Sequence, residues 1–185
     1  HRSCADWLSY RTGCDGNNLK DRSAGTVVRY NWIESGNRQI DLVDSGDLSS
    51  LPEYATTFVY GNVLVEHDGD GNSQIVHYGG DGSDTSAYRG GTLHFYNNTV
   101  VSTRGGNTTL LRLSTGDESA DVRNNILYVT EDGSRLAMSN ADGIIDLRNN
   151  WTKPGWRDSH SGLAGEVNDL GGNVTGPSPG FEDEG

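Results

Sequence analysis

An asparagine recurs at the same point of a repeated pattern along most of this chain. In the clearest copy, Gly91 to Val101 (GTLHFYNNTVV), alternating apolar and polar residues are followed by an aromatic residue, an Asn and a short β-branched segment. The aligned asparagines are Asn31, Asn62, Asn98, Asn125, Asn150 and Asn173. Their separations of 31, 36, 27, 25 and 23 residues are typical of solenoid coils whose loops differ in length.

Each repeat contains three short alternating stretches separated by an Asn turn and a loop rich in Gly and Asp. The copy from Thr56 to Gly80 reads TTFVYGNVLVE, HDGDGN and SQIVHYGG. Successive side chains of a strand point to opposite faces, so this order predicts three strands per coil and three stacked parallel sheets. We therefore predict an all-β solenoid of about six coils that forms a single domain over residues 1–185.

The aligned asparagines are predicted to form a structural ladder. Adjacent coils of a solenoid lie about 4.8 Å apart, so stacked amides can bond to each other and to turn backbone. A helical fold is disfavoured because apolar residues recur at every second position and Gly and Asn interrupt every ten residues or so. A β-sandwich also uses short strands, but it gives no reason for an Asn at one fixed point of each unit.

Composition and charge exclude two classes of function. The hydrophobic fraction of 32% and the 26 glycines suit a narrow solenoid core with frequent turns. A net charge of −12 argues against a general nucleic-acid binder, and no run approaches the roughly 20 apolar residues of a membrane helix. The first 40 residues carry six Lys/Arg and four Asp/Glu, and the remainder eight and 22. The net positive charge of the first 40 residues either attracts an anionic ligand or has no role of its own, the acidic loops of the remainder serving to keep the protein soluble.

The two cysteines and the sequons are the features of this sequence that an extracellular compartment would modify. Cys4 and Cys14 either close a loop as a disulfide in an oxidising compartment or are small buried thiols. Asn-x-Thr sequons make four residues candidates for glycosylation, namely Asn97, Asn107, Asn150 and Asn173. No capping element is evident at either end of the sequence. This predicts a longer parent chain or coils that stack end to end between subunits.

Residues 17–36, NNLKDRSAGTVVRYNWIESG, combine a lysine, a run of small polar residues, a Tyr-Asn strand and a Ser-Gly turn. In this combination the sequence resembles polysaccharide lyases of the chondroitinase B and alginate lyase type. The match at the level of the motif covers about Asp15 to Val65. The resemblance implies a right-handed parallel β-helix of the pectate-lyase-like superfamily, secretion, and a uronate-containing polysaccharide as partner.

In that family the lysine of the motif is the general base of a β-elimination, and an arginine on the next coil neutralises the uronate carboxylate. The lysine corresponds to Lys20, whereas Val43 stands about where the arginine should be. The family's calcium ligands precede the lysine. Asp15 falls near one of these positions and Gly13 occupies the other, so Ca²⁺ is only partly supported as a cofactor.

Strand alternation places Lys20 and Arg22 on one outward face. We predict Lys20 as the base and Arg22 as the partner of the carboxylate or leaving group. The residues predicted to line the substrate groove are Arg38, Asp41, Tyr78 and His1. Alternation also predicts that Asp41 and Val43 point outward, and that His77 points inward after Ile75.

The role of Lys20 and the function of the protein each allow two interpretations. Asp41 occupies the outward position one coil after Lys20, so Lys20 is either a catalytic base or one half of a plain cross-strand ion pair. Accordingly, the protein is either an enzyme acting on an anionic polysaccharide or a non-catalytic structural or glycan-binding solenoid that assembles through its coil ends.

Overall fold

The structure is a computed structural model that describes residues 2–6, 9–10 and 16–182, with side chains from residue 16 onward. Its strands form three sheets. The first sheet contains β1 (Arg2–Asp6), β4 (Ala24–Arg29), β7 (Thr56–Tyr60), β10 (Gly91–Tyr96), β13 (Glu118–Arg123), β16 (Ile144–Arg148) and β18 (Glu166–Asp169). The second contains β2 (Ser9–Tyr10), β5 (Trp32–Glu34), β8 (Val63–Glu66), β11 (Thr99–Ser102), β14 (Ile126–Val129), β17 (Trp151–Thr152) and β19 (Val174–Thr175). The third contains β3 (Leu19–Asp21), β6 (Ile40–Leu42), β9 (Gln74–Tyr78), β12 (Thr108–Leu113) and β15 (Leu136–Ser139).

Every strand pairs in parallel with the strand one coil before or after it in the same sheet. The chain therefore passes from the first sheet through an Asn turn to the second, and through a longer loop to the third. Short 3-10 turns at Pro52–Ala55 and Thr85–Ala87 lie in two of the loops that lead back to the first sheet. The predicted right-handed parallel β-helix with three sheets is confirmed.

The Asn ladder is also confirmed, and it runs along the turn between the first and second sheets. The Asn98 side-chain amide donates to Asn125 Oδ1 at 3.2 Å and to the Val59 carbonyl at 3.0 Å, and its own oxygen accepts from Asn62. The same pattern joins all six predicted members, from Asn31 to Asn173. Each amide thus satisfies buried backbone groups that would otherwise have no partner.

The residue before each ladder asparagine explains the recurrent Asn-Asn pairs. Asn97, Asn124 and Asn149 have φ of 54, 56 and 53°, in the left-handed region that Asn tolerates better than most residues. Gly61 takes the same position at φ 66°, where a Cβ would come within 2.8 Å of the Tyr30 ring. The turn therefore demands Asn or Gly at this point of most coils.

The core is a stack of inward side chains from successive coils. In the first sheet, Val28, Val59 and Phe95 follow one another in register and are almost completely buried. In the second sheet, Ile33 and Leu64 do the same. Because each residue packs on its counterparts one coil away, few apolar residues per coil suffice.

Glu66 is a fully buried carboxylate at the end of β8. Its Oε2 accepts hydrogen bonds from Ser102 at 2.6 Å and Thr108 at 2.7 Å, and an Arg104 guanidinium nitrogen lies 3.5 Å from Oε1. Burial raises the pKa of Glu66 above its usual value, and the hydrogen bonds and Arg104 only partly oppose this. A raised pKa means that ionising Glu66 costs folding free energy.

The free energy of unfolding of the wild-type protein is expected to fall as the pH rises above about 4.5, the usual range for a Glu side chain. We predict that this fall is absent or smaller in Glu66→Gln. Below that range Glu66 is protonated in both the folded and unfolded states. As the pH rises through the raised folded value, the unfolded state releases its proton first and gains relative stability. Thermal denaturation between pH 4 and 8 measures this. Exposed Glu131→Gln is the control, and parallel pH profiles for wild type and Glu66→Gln would contradict the assignment.

Candidate functional site

The third sheet presents the lysine of the sequence motif on its outer face. β3 buries Leu19 and points Lys20 outward, and Arg22 follows just after the strand. Lys20 Nζ lies 2.5 Å from one oxygen of Asp81, and Arg22 donates to the other oxygen at 2.8 Å. The prediction that Lys20 and Arg22 share a face is confirmed. Their common partner Asp81 comes from the loop after β9, 61 residues along the chain from Lys20, and the sequence interpretation missed it.

Ion pairing decides the protonation of Lys20. The hydrogen bond to Asp81 raises the pKa of Lys20, burial opposes this, and Asp41, whose Oδ2 lies 3.1 Å away, raises it further. The predicted cross-strand ion pair between Lys20 and Asp41 is therefore present. A base in β-elimination needs a lowered pKa, so this electrostatic setting disfavours the catalytic role of Lys20, which stays a prediction.

His77 stands beside Asp41 on the same outer face. The register of β6 and β9 pairs Asp41 with His77, and Ile40 and Leu42 with Val76 and Tyr78. The prediction that His77 points inward is wrong, because Val76 and Tyr78, which flank it, are the residues in register with inward Ile40 and Leu42. His77 Nδ1 lies 2.8 Å from Asp41 Oδ1, and both side chains are at most 3% exposed.

Burial also corrects the predicted position of Tyr78. Tyr78 lies in the core with no exposed surface, and burial raises its pKa to about 12. The prediction that Tyr78 lines a groove is therefore wrong, since its position pairs with inward Leu42. Val43, which alternation predicts to point outward, is fully buried like Asp41, and its carbonyl accepts a hydrogen bond from the buried guanidinium of Arg89.

Two arginines on this face have no carboxylate partner among the described residues. The Arg38 guanidinium donates to the neutral amide oxygen of Gln74, at 2.8 Å from Nη2 and 3.3 Å from Nε. Arg112 is in register with His77 one coil further on, and its buried Nε has no hydrogen-bond partner among the described residues. Among the described residues, neither Arg38 nor Arg112 forms an ion pair. Burial lowers the pKa of Arg38, the attraction of Asp41 opposes this, and the nearby charge of Arg112 adds to the lowering.

The outer faces of the other two sheets offer less for an anion. On the first sheet, Tyr60 and Tyr96 stack on each other at 4.9 Å and Arg123 covers the far side of Tyr96, so the ring faces are already in use. On the second sheet, Trp32 and Val101 belong to a largely apolar groove of about 490 Å³. The first sheet also carries partly buried arginines, but Arg123 and Arg148 pair with Asp121, whereas Arg38 and Arg112 on the third sheet have no carboxylate partner among the described residues.

Several predicted site residues lie outside the described residues. His1 and Asp15 are among them, so the approach of His1 to Lys20 and a calcium ligand at Asp15 stay predictions. The disulfide does too, because Cys14 and the Cys4 side chain fall outside the described parts. Between residues 16 and 182, no group of three or more His, Cys, Asp or Glu side chains is arranged to hold a metal ion.

The four sequons differ in their surroundings. Asn97 and Asn107 are exposed and stay candidates for glycosylation. Asn150 is buried and its amide donates to the Val122 carbonyl and to Asn173, so glycosylation of the folded chain at Asn150 is excluded and that prediction is wrong. The Asn173 amide likewise donates to Asp169, although the residue is partly exposed.

Comparison of the chain with models of protein families, with curated proteins and with solved structures gives no match. The parallel β-helix fold therefore rests on the structure itself, and membership of the pectate-lyase-like superfamily stays a prediction. A search of the described residues also finds no helix with the length and apolar character needed to cross a membrane.

Proposed function

We propose that this β-helix binds a uronate-containing polysaccharide along the outer face of its third sheet. The observation that carries the proposal is the pair of partly buried arginines, Arg38 and Arg112, that have no carboxylate partner among the described residues. A guanidinium that has left bulk water without an anionic partner carries a desolvation cost. A carboxylate can offset this cost through two parallel hydrogen bonds, for which the guanidinium has the right geometry.

The repeat of the solenoid fits an extended ligand. Arg38 precedes β6, His77 lies on β9 and Arg112 lies on β12, so three successive coils contribute to one face. Strands of neighbouring coils are about 4.8 Å apart, which places these groups at short, regular steps along the axis. A chain of sugars lying along the axis would meet several of them in turn.

Binding is a more conservative function than the β-elimination that the family resemblance implies. Lys20 is paired with two aspartates that raise its pKa and so keep its ammonium group protonated. A protonated lysine can stabilise negative charge but cannot abstract a proton. We therefore propose binding as the function, and a separate assay tests for lyase activity. Absorbance of an unsaturated uronate product, lost in Lys20→Ala, would add β-elimination to the function.

The test is the affinity for alginate and polygalacturonate, with dextran as the uncharged control polymer. Arg112→Gln is expected to weaken binding by about tenfold or more, since one well-placed ion pair or charged hydrogen bond contributes about 1.5–3 kcal/mol. Asp81→Asn is expected to strengthen binding, because it removes a negative charge and one ion-pair partner from each of Lys20 and Arg22.

The matched control is Arg135→Gln, which removes an equal charge at an exposed position. Equal affinities for wild type, Arg112→Gln and Arg135→Gln would show that the third sheet is not the binding face. Absence of binding to both uronate polymers would reject the proposal. Secretion stays a prediction, and so does assembly through the coil ends, which negative-stain microscopy over a range of concentrations would reveal as filaments.

A further inference from the structure

Three side chains on consecutive coils of the third sheet form a linear hydrogen-bonded chain. Asp41 Oδ1 lies 2.8 Å from His77 Nδ1, and His77 Nε2 lies 2.8 Å from Ser114 Oγ. Asp41 and His77 are almost completely buried, whereas Ser114 is partly exposed at the loop after β12. With the Nδ1 proton held by Asp41, the lone pair of Nε2 faces Ser114 Oγ, whose hydroxyl can donate to it or to the Gly80 carbonyl, 3.1 Å away. This is the order of roles that activates a serine as a nucleophile.

Local backbone structure brings Ser114 to this position. Gly79 has φ 135°, and a Cβ there would meet Ser114 Oγ at 2.5 Å, so only glycine allows the approach. The N–H of Gly80 donates to Ser114 Oγ at 3.1 Å. A backbone N–H this close to the nucleophile can also donate to an oxyanion formed on the adjacent carbonyl.

The surroundings identify the class of substrate. Arg112 lies next to His77 in the same row of outward positions, one coil further on. If Arg38 and Arg112 bind a uronate carboxylate, an ester carried by that sugar comes close to Ser114. A free carboxylate and an ester on one sugar describe an O-acylated uronate.

We propose that Asp41, His77 and Ser114 form an esterase site that removes O-acyl groups from a uronate-containing polysaccharide. Ser114 Oγ attacks the ester carbonyl while its proton passes to His77 Nε2. The bond to the sugar oxygen then breaks, the sugar leaves with that proton as an alcohol, and the acyl group stays on Ser114. Water, deprotonated by His77, hydrolyses the acyl-serine to a carboxylic acid and restores the site. Asp41 is a positioning residue that acts through His77.

The inference rests on the proposed function for its substrate but has an independent chemical test. The full chain is treated with diisopropyl fluorophosphate, which phosphorylates activated serines, and the labelled residue is located by mass spectrometry. We expect an adduct on Ser114 and release of acetate from O-acetylated alginate. Both are expected to disappear in Ser114→Ala and to fall at least a hundredfold in His77→Ala.

Controls separate catalysis from folding. Ser119→Ala is matched, because that partly buried hydroxyl, like Ser114 Oγ, bonds to a side chain and a backbone carbonyl but has no histidine partner among the described residues. Circular dichroism establishes that each variant is folded. Asp41→Asn is expected to lower kcat for acetate release while KM changes little, which a general loss of structure would not produce.

The proposal is overturned if the folded wild-type protein acquires no adduct on Ser114 and releases no acetate. It is equally overturned if Ser114→Ala releases acetate at the wild-type rate. Neither result would contradict the proposed binding function, provided that deacetylated alginate binds to the wild-type protein and that Arg112→Gln weakens this binding. Conversely, labelling of Ser114 without any affinity for uronate polymers would retain the esterase site and reject the uronate as its target.

Discussion

An Asn98→Ala variant is expected to lose about 4 kcal/mol of unfolding free energy, a large part of the stability of a single domain. Asn98 stands in the middle of the ladder, with one neighbour on each side and almost no exposed surface. Its side chain donates to the Val59 carbonyl and to Asn125, and accepts from both the backbone and the side-chain nitrogen of Asn62.

The expected loss follows from the groups that remain behind. Alanine leaves the Val59 carbonyl and the Asn62 backbone N–H buried without their partners, and each such group costs about 1–3 kcal/mol. The released side-chain amide of Asn62 adds to this cost. Interruption of the ladder also weakens the contact between adjacent coils, on which the stability of a solenoid depends.

Urea unfolding followed by circular dichroism measures the loss. Asn97→Gly is the matched control, because Asn97 adjoins Asn98 but is exposed, and its φ of 54° suits glycine. The control is expected to change the unfolding free energy by less than about 1 kcal/mol. If Asn98→Ala and Asn97→Gly had the same unfolding free energy, the hydrogen bonds of the ladder would not contribute to stability.

The ladder and the three sheets could be predicted because they depend on local patterns that repeat. Alternation sets which side chain faces inward, and the Asn-Asn pairs mark a turn whose first residue has positive φ. Both signals lie within about ten residues of sequence. Once the copies were aligned, residues 31 and 62 had to be neighbours, as the 3.0 Å bond between Asn31 and Asn62 shows.

Arg112 was within reach of the same method. Aligning SQIVHYGG with TTLLRLSTG places Arg112 under His77, as the register confirms. The family resemblance implies an arginine on the coil after Lys20, whereas Arg112 lies three coils after Lys20. The prediction that His77 points inward assumes that Ile75 is the inward residue of its strand, and the register places Val76 inward instead.

Asp81 could not be predicted, because it belongs to a loop that leaves the repeat, whereas Ser114 directly follows β12 and stands opposite Gly79 in the same alignment. The loop from Gly79 to Gly90 is similar in length to the corresponding loop of the preceding coil, residues 43–55, but shares no repeated pattern with it, so no alignment indicates where it folds. In the structure it turns back over the first coils, where Asp81 contacts Lys20 and Arg22. The position of this loop is therefore a tertiary property, and one buried residue accounts for much of it.

That residue is Arg89, whose side chain has no exposed surface. Its guanidinium donates to the Val43 carbonyl at 3.0 Å and to the Asp21 carboxylate at 3.1 Å, and it lies over the ring of Tyr54. Arg89 thereby ties the end of the loop to the two coils that carry Lys20 and Asp41. The geometry of the site depends on a buried ion pair outside it.

We predict that Arg89→Met lowers the unfolding free energy by about 3–5 kcal/mol, the usual cost of removing one partner of a buried ion pair. The methionine fills similar volume, but Asp21 and the Val43 carbonyl lose their donor. We also expect the pKa of Lys20 to fall toward its usual value, because a displaced loop withdraws Asp81, the largest cause of the raised value. Urea unfolding and a side-chain NMR titration of Lys20 measure the two effects separately.

Exposed Arg135→Met is the control for the loss of one positive charge, and it is expected to change neither quantity. If Arg89→Met were as stable as this control, the buried pair would not hold the loop in place. A large loss of stability with an unchanged Lys20 titration would show instead that Asp81 is held by its other contact, the 2.7 Å bond from its backbone N–H to Asp44. The loop would then have two independent anchors, and the site would survive damage to the core beneath it.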